Sequence, residues 1–251
     1  MLKMCWQEKI KELAEMVAGS NKVMVLSGAG ISTESGIPDF RGPDGLWSKV
    51  DPMYVFSADT FIYRPRVFYE TGLPLLNALH NARPNTAHQI IAEMEEKGLV
   101  WGVVTQNVDG LHQKAGSKNV YEAHGHLRSA TCLKCGGGIA WDELVKMVSR
   151  GQLPPLCHIC GGVYKPDSVF FGDPLPPDFN VCCREAADAD LLLVVGSSLE
   201  VSPVNYLPHY TKRFAIINIG PTAADHRAAL KVEAGAGEAF TALWEELKAG
   251  C

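Results

Sequence analysis

The stretch Val23-Met24-Val25-Leu26-Ser27-Gly28-Ala29-Gly30 decides the fold. Val23 to Leu26 is a short run of buried-strand character, and it passes directly into a glycine turn. Upstream, residues 6–18 carry Trp6, Ile10, Leu13 and Val17 at helical spacing with charges between them, and Gly19-Ser20-Asn21 ends that helix. A helix, a strand and a glycine turn predict a doubly wound α/β domain with a nucleotide site at the turn. The dinucleotide fingerprint needs a third small residue three positions on, where Thr33 stands, and no acidic residue ends a second strand about 20 residues later. The turn therefore suits a phosphate better than it suits a simple hydride-transfer enzyme, and a bare strand-to-helix connection fits it too.

Outward from this point the α/β pattern is interrupted twice. Residues 36–85 are irregular, with six prolines and interleaved aromatics, and read as a loop followed by short helices. Regular structure resumes with a helix that starts at Pro84-Asn85-Thr86, has Ile90, Ile91 and Met94 on its apolar face and stops at Gly98. Strands follow at Leu99–Thr105 and Asn119–Glu122. Residues 132–160 break the pattern again and enclose a short helical stretch, Asp142 to Val148. Leu191–Val195 is the best buried strand, Phe214–Ile219 another and Lys231–Ala234 a weak one. A last helix carries Phe240, Leu243, Trp244 and Leu247. The predicted fold is one Rossmann-like domain from residues 1–39, 86–127 and 166–251, with a smaller lobe made of a helical insertion at 40–85 and a cysteine-bearing insertion at 128–165.

The 251 residues carry a net charge of −5, 47% hydrophobic and 20% charged side chains, which is a globular composition. No apolar run approaches the 18 residues of a membrane span, and charges punctuate residues 1–16, so a cytoplasmic protein is expected. The acidic balance argues against direct nucleic-acid binding. No feature of the sequence fixes an oligomeric state.

Four of the eight cysteines form two pairs, Cys132-x-x-Cys135 and Cys157-x-x-Cys160. Two such knuckles make a closed four-thiolate zinc site with no open position for catalysis. Unligated thiols, or an iron site on the same four ligands, are the other readings. Gly136, Gly137, Gly138, Gly161 and Gly162 follow the pairs, where knuckles call for positive φ. His158 is expected to face solvent. Cys5, Cys182, Cys183 and Cys251 have no pattern.

Two further polar segments fall just beyond strand ends, where doubly wound folds hold ligands. They are Thr105-Gln106-Asn107-Val108-Asp109-Gly110-Leu111-His112 and Gly196-Ser197-Ser198. His124 occupies a third such position, where an imidazole serves either structure or general-base catalysis.

Taken in order, these motifs resemble the sirtuins, NAD-dependent protein-lysine deacylases. The resemblance runs from Val23 to about Ala236. It rests on Gly28-Ala29-Gly30-Ile31-Ser32, Gly36-Ile37-Pro38-Asp39-Phe40-Arg41-Gly42, Thr105-Gln106-Asn107-Val108-Asp109, His124-Gly125, both cysteine pairs, Val169-Phe170-Phe171-Gly172, Gly196-Ser197-Ser198-Leu199 and Asn218. It implies that NAD is a co-substrate and zinc is structural. Gly28, Ala29, Gly30, Thr33, Asp39, Phe40 and Arg41 would line the pyrophosphate and nicotinamide-ribose region. Gln106 and Asn107 would hold that ribose, and Val108 and Asp109 the carboxamide. Gly196, Ser197, Ser198, Asn218 and Ala236 would meet the adenosine half. His124 would be the general base, with Asn107 the second catalytic residue. Val169, Phe170 and Val201 would bind an acyl-lysine peptide as an added strand.

Departures from the family pattern are Ala123 for leucine before His-Gly, Asp173 for glutamate after Phe-Gly, and Ser197 for threonine. His126 is a second imidazole, read as a surface residue. Sirtuins that remove succinyl or malonyl groups resemble one another in a Tyr-x-x-Arg pair. The matching stretch here is Tyr69-Glu70-Thr71-Gly72, without the arginine, which implies a preference for neutral acyl groups. Two competing readings are a mono-ADP-ribosyltransferase or NAD glycohydrolase on the same fold, and a zinc-ribbon NAD sensor without turnover. The presence of His124, Asn107 and Asp109 together argues against the sensor.

Overall fold

The computed structural model describes residues 5–38, 45 and 50–250. A six-stranded parallel sheet is built from β1 (Val23–Ser27), β2 (Gly102–Thr105), β3 (Val120–Glu122), β7 (Leu191–Val195), β8 (Phe214–Ile217) and β9 (Leu230–Val232). Its order is β3-β2-β1-β7-β8-β9. The chain leaves β1 toward β2 and β3, then returns to the other side of β1. The strand order therefore reverses between β1 and β7, where a crevice opens beyond the strand ends.

Both faces of the sheet are covered, so its strands are apolar without alternation. Val23, Val25, Leu191, Leu193 and Val195 pack against the helices Trp6–Ala18, Thr86–Glu96 and Ala236–Ala249. Met24, Leu26, Leu192 and Val194 pack on the other face with Cys182 and Ala186 of the helix Asp178–Ala187. Asn85 caps Thr86–Glu96 through its side chain, accepting the His88 N–H at 3.3 Å. Gly98 ends the same turn at φ 74°.

The smaller lobe contains an antiparallel sheet of order β5-β4-β6, formed by β4 (Gly125–Cys132), β5 (Gly138–Ala140) and β6 (Tyr164–Ser168). Short helices run from Pro52 to His80. One apolar cluster joins the two insertions, with Phe61, Phe68, Tyr69 and Leu73 against Cys132, Trp141, Leu144 and Tyr164. Tyr69 donates its hydroxyl to the Tyr164 carbonyl, and Trp141 Nε1 donates to Asn77 Oδ1 at 3.2 Å.

Several expectations need correction. The strand expected over Leu99–Thr105 starts at Gly102, because the Leu99 and Val100 amides bond back to Met94. The strand at Phe214 stops at Ile217, and Ile219 is 70% exposed. Of the five glycines that follow the cysteine pairs, only Gly136 and Gly161, one residue past each pair, have positive φ. Gly162 is needed for space instead, since a Cβ there would lie 2.7 Å from Cys132 Sγ. Strand β6 contains Pro166, which an edge strand tolerates and an inner one does not.

Candidate active site

A cleft of about 800 Å³ lies at the β1/β7 reversal. Its floor is a crossing of two loops. The Gly28 amide donates to the Val195 carbonyl at 3.0 Å, and the Gly30 amide to the Gly196 carbonyl at 2.8 Å. A Cβ on Gly30 would lie 2.8 Å from Gly196 Cα, and one on Gly196 would lie 2.2 Å from the Ile31 amide. These glycines are required by backbone against backbone, and the amides of Gly28 and Gly30 are already occupied. The phosphate-turn reading of the sequence missed this demand.

Above the floor, Gln106 Nε2 donates to Ser197 Oγ at 2.9 Å, joining the ends of β2 and β7. Ser197 Oγ also accepts the Leu199 amide at 3.2 Å. That bond helps hold Leu199 at φ 55°, the one non-glycine residue at positive φ among the described residues. Asn107 is buried, and its Nδ2 donates to the Gly28 carbonyl at 3.1 Å and to Ser32 Oγ at 3.2 Å. Its Oδ1 is buried with no partner. A cleft-lining side chain fixed through its donor, with its acceptor left unpaired, has a hydrogen bond still to offer a ligand.

Asp109 does not line the cleft. Its Oδ2 accepts the Ser32 hydroxyl at 2.8 Å and its Oδ1 the Leu111 amide at 3.0 Å. Burial raises its carboxyl above the usual range, against the pull of those bonds. It stands one residue behind Asn107, reaching it through Ser32.

His124 follows β3 and lines the cleft. Its Nδ1 lies 3.0 Å from the Gln106 carbonyl, so Nδ1 carries the hydrogen and Nε2 holds the free lone pair. Burial lowers the ring below the ordinary imidazole value, partly offset by that bond. The His124 carbonyl accepts the Val169 amide at 2.9 Å. Gly125 lets β4 begin there, since a Cβ would strike the Asp167 carbonyl. His126 is half-buried and His158 exposed.

Gly28, Ala29, Gly30, Thr33, Gln106, Val108, Gly196, Ser197, Ser198, Asn218 and Ala236 all line the cleft, as do Val169, Phe170 and Val201. Asp39, Phe40 and Arg41 lie outside the described residues. Sequence reasoning missed Phe56, Leu75 and Leu76, which form an apolar end of the cleft. It also missed Glu34, whose Oε1 accepts the Gly237 amide at the start of the last helix. The apolar residues carried no signal in the sequence, because they come from the irregular insertion. No side chain lining the cleft among the described residues is a lysine or arginine.

Away from the cleft, the Sγ atoms of Cys132, Cys135, Cys157 and Cys160 all lie within 4.8 Å of one another. The Cys132–Cys160 and Cys135–Cys157 separations are 3.5 and 3.8 Å. A tetrahedron of Zn–S bonds of about 2.3 Å has edges of about 3.8 Å, so the four sulfurs fit one zinc ion. No described helix is long and apolar enough to cross a membrane.

The Sir2 family model matches residues 28–203. The chain is 47% identical over 239 residues to "NAD-dependent protein deacetylase 2" of Caldanaerobacter subterraneus subsp. tengcongensis, covering 95% of this chain and 96% of that protein. It is 43% identical over 248 residues to "NAD-dependent protein deacylase 2" of Archaeoglobus fulgidus, covering 96% and 97%. A solved Sir2 structure bound to a propionylated peptide superposes with a TM-score of 0.87 at 37% identity, covering 95% and 98%.

Proposed function

The chain belongs to the Sir2 family, a sirtuin of the bacterial and archaeal type and an NAD-dependent protein deacylase, and from that premise we propose how its own residues perform the reaction and which acyl groups it takes. The observation that carries the reading is Asn107, fixed through its amide nitrogen with Oδ1 buried and unpaired, in the same cleft lining as His124, whose burial favours the neutral ring.

Bound NAD supplies a pyridinium leaving group and the ribose carbon that the acyl oxygen attacks. Asn107 and Gln106 orient that ribose, and Asp109 acts through Ser32 to hold Asn107. Val108 faces the carboxamide. Phe170 and Phe171 exclude water from the reacting face, as do Phe56, Leu75 and Leu76. His124 takes a proton at Nε2 from a ribose hydroxyl, so that the sugar oxygen can collect the acyl group. Ser197, Ser198, Asn218 and Ala236 meet the adenosine half, and Val169 and Val201 flank the peptide. By the family resemblance alone, Asp39, Phe40 and Arg41 would join the ribose and phosphate contacts. One water enters after the sugar oxygen has taken the acyl carbon and the lysine amine has left, so the products are nicotinamide, acetyl-ADP-ribose and the free lysine.

The acyl group is neutral. An arginine in place of Gly72 has no room, since even a Cβ would lie 2.8 Å from Phe68 Cδ2 and 3.0 Å from Val55 Cγ1. Tyr69 is buried with its hydroxyl bound to Tyr164. No cationic side chain among the described lining residues meets a succinyl carboxylate.

Zinc held by Cys132, Cys135, Cys157 and Cys160 fixes the smaller lobe and takes no part in the chemistry. The division into a sheet domain with insertions at 40–85 and 128–165, and a reducing cytoplasmic setting for these thiols, belong to the same reading.

The test is mass spectrometry of the products formed from NAD with acetyl-, propionyl- and succinyl-lysine peptides. Acetyl-ADP-ribose and bare lysine, with succinyl turnover slowest in kcat/KM, support the reading. ADP-ribose attached to protein or released free, without deacylation, overturns it.

A further inference from the structure

Behind Asn107 the wall of the cleft is backed by buried polar groups that the reaction described above does not use. Ser27 and Thr105 face each other at the C-terminal ends of β1 and β2, and both are buried. The Ser27 hydroxyl donates to Thr105 Oγ1 at 2.8 Å. Thr105 Oγ1 also accepts the Asn107 amide at 3.1 Å. On its other side, Ser27 Oγ lies 2.9 Å from Nε2 of His112, a residue that is 1% exposed.

The surroundings of Nδ1 fix the imidazole. An N–H at Nδ1 would be buried with no acceptor, so the hydrogen sits on Nε2, where Ser27 Oγ accepts it, and Nδ1 is a bare lone pair. A charged ring would place a second N–H there with nothing to receive it. The His88 ring stands edge-on to His112, 4.8 Å between centroids, and closes the rear of the site.

We propose that His112 is a positioning residue for deacylation: through Ser27 and Thr105 it sets the backbone of Asn107 and so places that cleft-lining side chain, with its unpaired Oδ1, for the ribose. Asn107 is thereby located from two directions. Its side chain is held by Gly28 and by the Ser32–Asp109 pair, and its amide by the file that ends at His112. The neutral ring offers a single rigid donor from the helix Leu111–Ala115. The inference rests on Asn107 being the ribose-holding residue.

The test is steady-state kinetics on the full chain with NAD and an acetylated peptide. His112→Leu keeps bulk and removes the donor, while His112→Gln places an amide N–H near the ring's Nε2 position. A misplaced Asn107 is expected to lower kcat/KM for NAD by about 10- to 100-fold in His112→Leu, with the peptide KM unchanged. His112→Gln should recover to within about threefold of wild type. In an Asn107→Ala background, His112→Leu should add no further loss, because the two act as one unit. Losses that multiply in the double variant overturn this inference and leave the role of Asn107 intact. An Asn107→Ala enzyme with wild-type kinetics overturns both. Should His112→Leu fail to fold, Ser27→Ala carries the same test: an NAD-selective loss supports the file, and wild-type kinetics overturn it.

Discussion

Lys165 Nζ lies 2.7 Å from Asp173 Oδ2, and the same carboxylate oxygen accepts the Phe170 amide at 2.8 Å. The ammonium also donates to the Ser168 carbonyl at 2.8 Å and sits 4.1 Å from the centre of the Phe170 ring. One cation thus ties together both ends of the segment 168–173, which lines the cleft and is proposed to meet the peptide. The pair is mostly sheltered, with side chains 14% and 17% exposed. Asp173→Asn leaves the lysine charge without its partner and should cost about 1–3 kcal/mol. The peptide KM should rise while the NAD KM holds. Denaturant unfolding and a two-substrate titration check this, and an equal rise in both KM values would count against the assignment.

The proposed role of His124 as general base sets the acid limb of activity. A general base must be neutral, so activity is lost as pH falls through its pKa. Burial holds that pKa below the ordinary imidazole value of about 6.5. The acid midpoint of kcat/KM is therefore expected below pH 6.5. His124→Ala should remove about 10²–10⁴-fold of rate and abolish the limb, with NAD binding retained by calorimetry.

Stability has its own acid dependence, seated at the rear of the cleft. Burial pushes His88 down to about 4, while the unfolded chain titrates near 6.5. Between those values the unfolded state binds more protons, so stability rises with pH through this window and is lost as pH falls from about 6.5 to 4. His88 alone accounts for about 3 kcal/mol of that loss. The buried Asp109, with its raised carboxyl, slopes the opposite way. Urea midpoints at pH 7, 5.5 and 4.5 should fall more steeply for the wild type than for His88→Leu.

The loop crossing makes a sharp pair of substitutions. Gly196 sits at φ 59° with its missing Cβ 2.2 Å from the Ile31 amide, whereas Gly36 sits at φ 79° with nothing within 4 Å. Gly36→Ala should cost about 1–2 kcal/mol from backbone conformation alone. Gly196→Ala adds overpacking of about 1–3 kcal/mol and pushes apart the two loops that floor the cleft. Thermal unfolding should rank them in that order, with NAD binding lost only in Gly196→Ala.

These contrasts show which parts of the molecule the chain announces. Strands such as Leu191–Val195, buried on both faces, announce themselves as unbroken apolar runs, and the cysteine spacing announces a four-sulfur cluster. The expected locations of Asn107, His124 and Ser197 were legible because polar residues follow such strands. Strand β6, Tyr-Lys-Pro-Asp-Ser, was not legible, because its pairing is tertiary and its proline reads as a break. Nor was the second role of Gly28, Gly30 and Gly196, since contact between two loops so far apart in the chain leaves no local mark. Ser27 did leave a mark, a hydroxyl ending an apolar strand, but its partner His112 is visible only in three dimensions.

Metal removal separates the lobe from the sheet. Cys132 and Cys157 are buried in the same apolar cluster as Trp141, Tyr164 and Phe170. If the proposed zinc ion is what holds the four sulfurs together, its removal costs the cluster one wall. Chelation should therefore redden Trp141 emission and stop peptide turnover, since Phe170 lines the cleft. The parallel sheet has its own core of Val25, Leu193 and Phe240, so most far-ultraviolet dichroism should persist. Added zinc should restore both signals, at one metal per chain by mass spectrometry. A chelated protein that turns over peptide at the original rate would show that the cleft does not depend on the cysteine cluster.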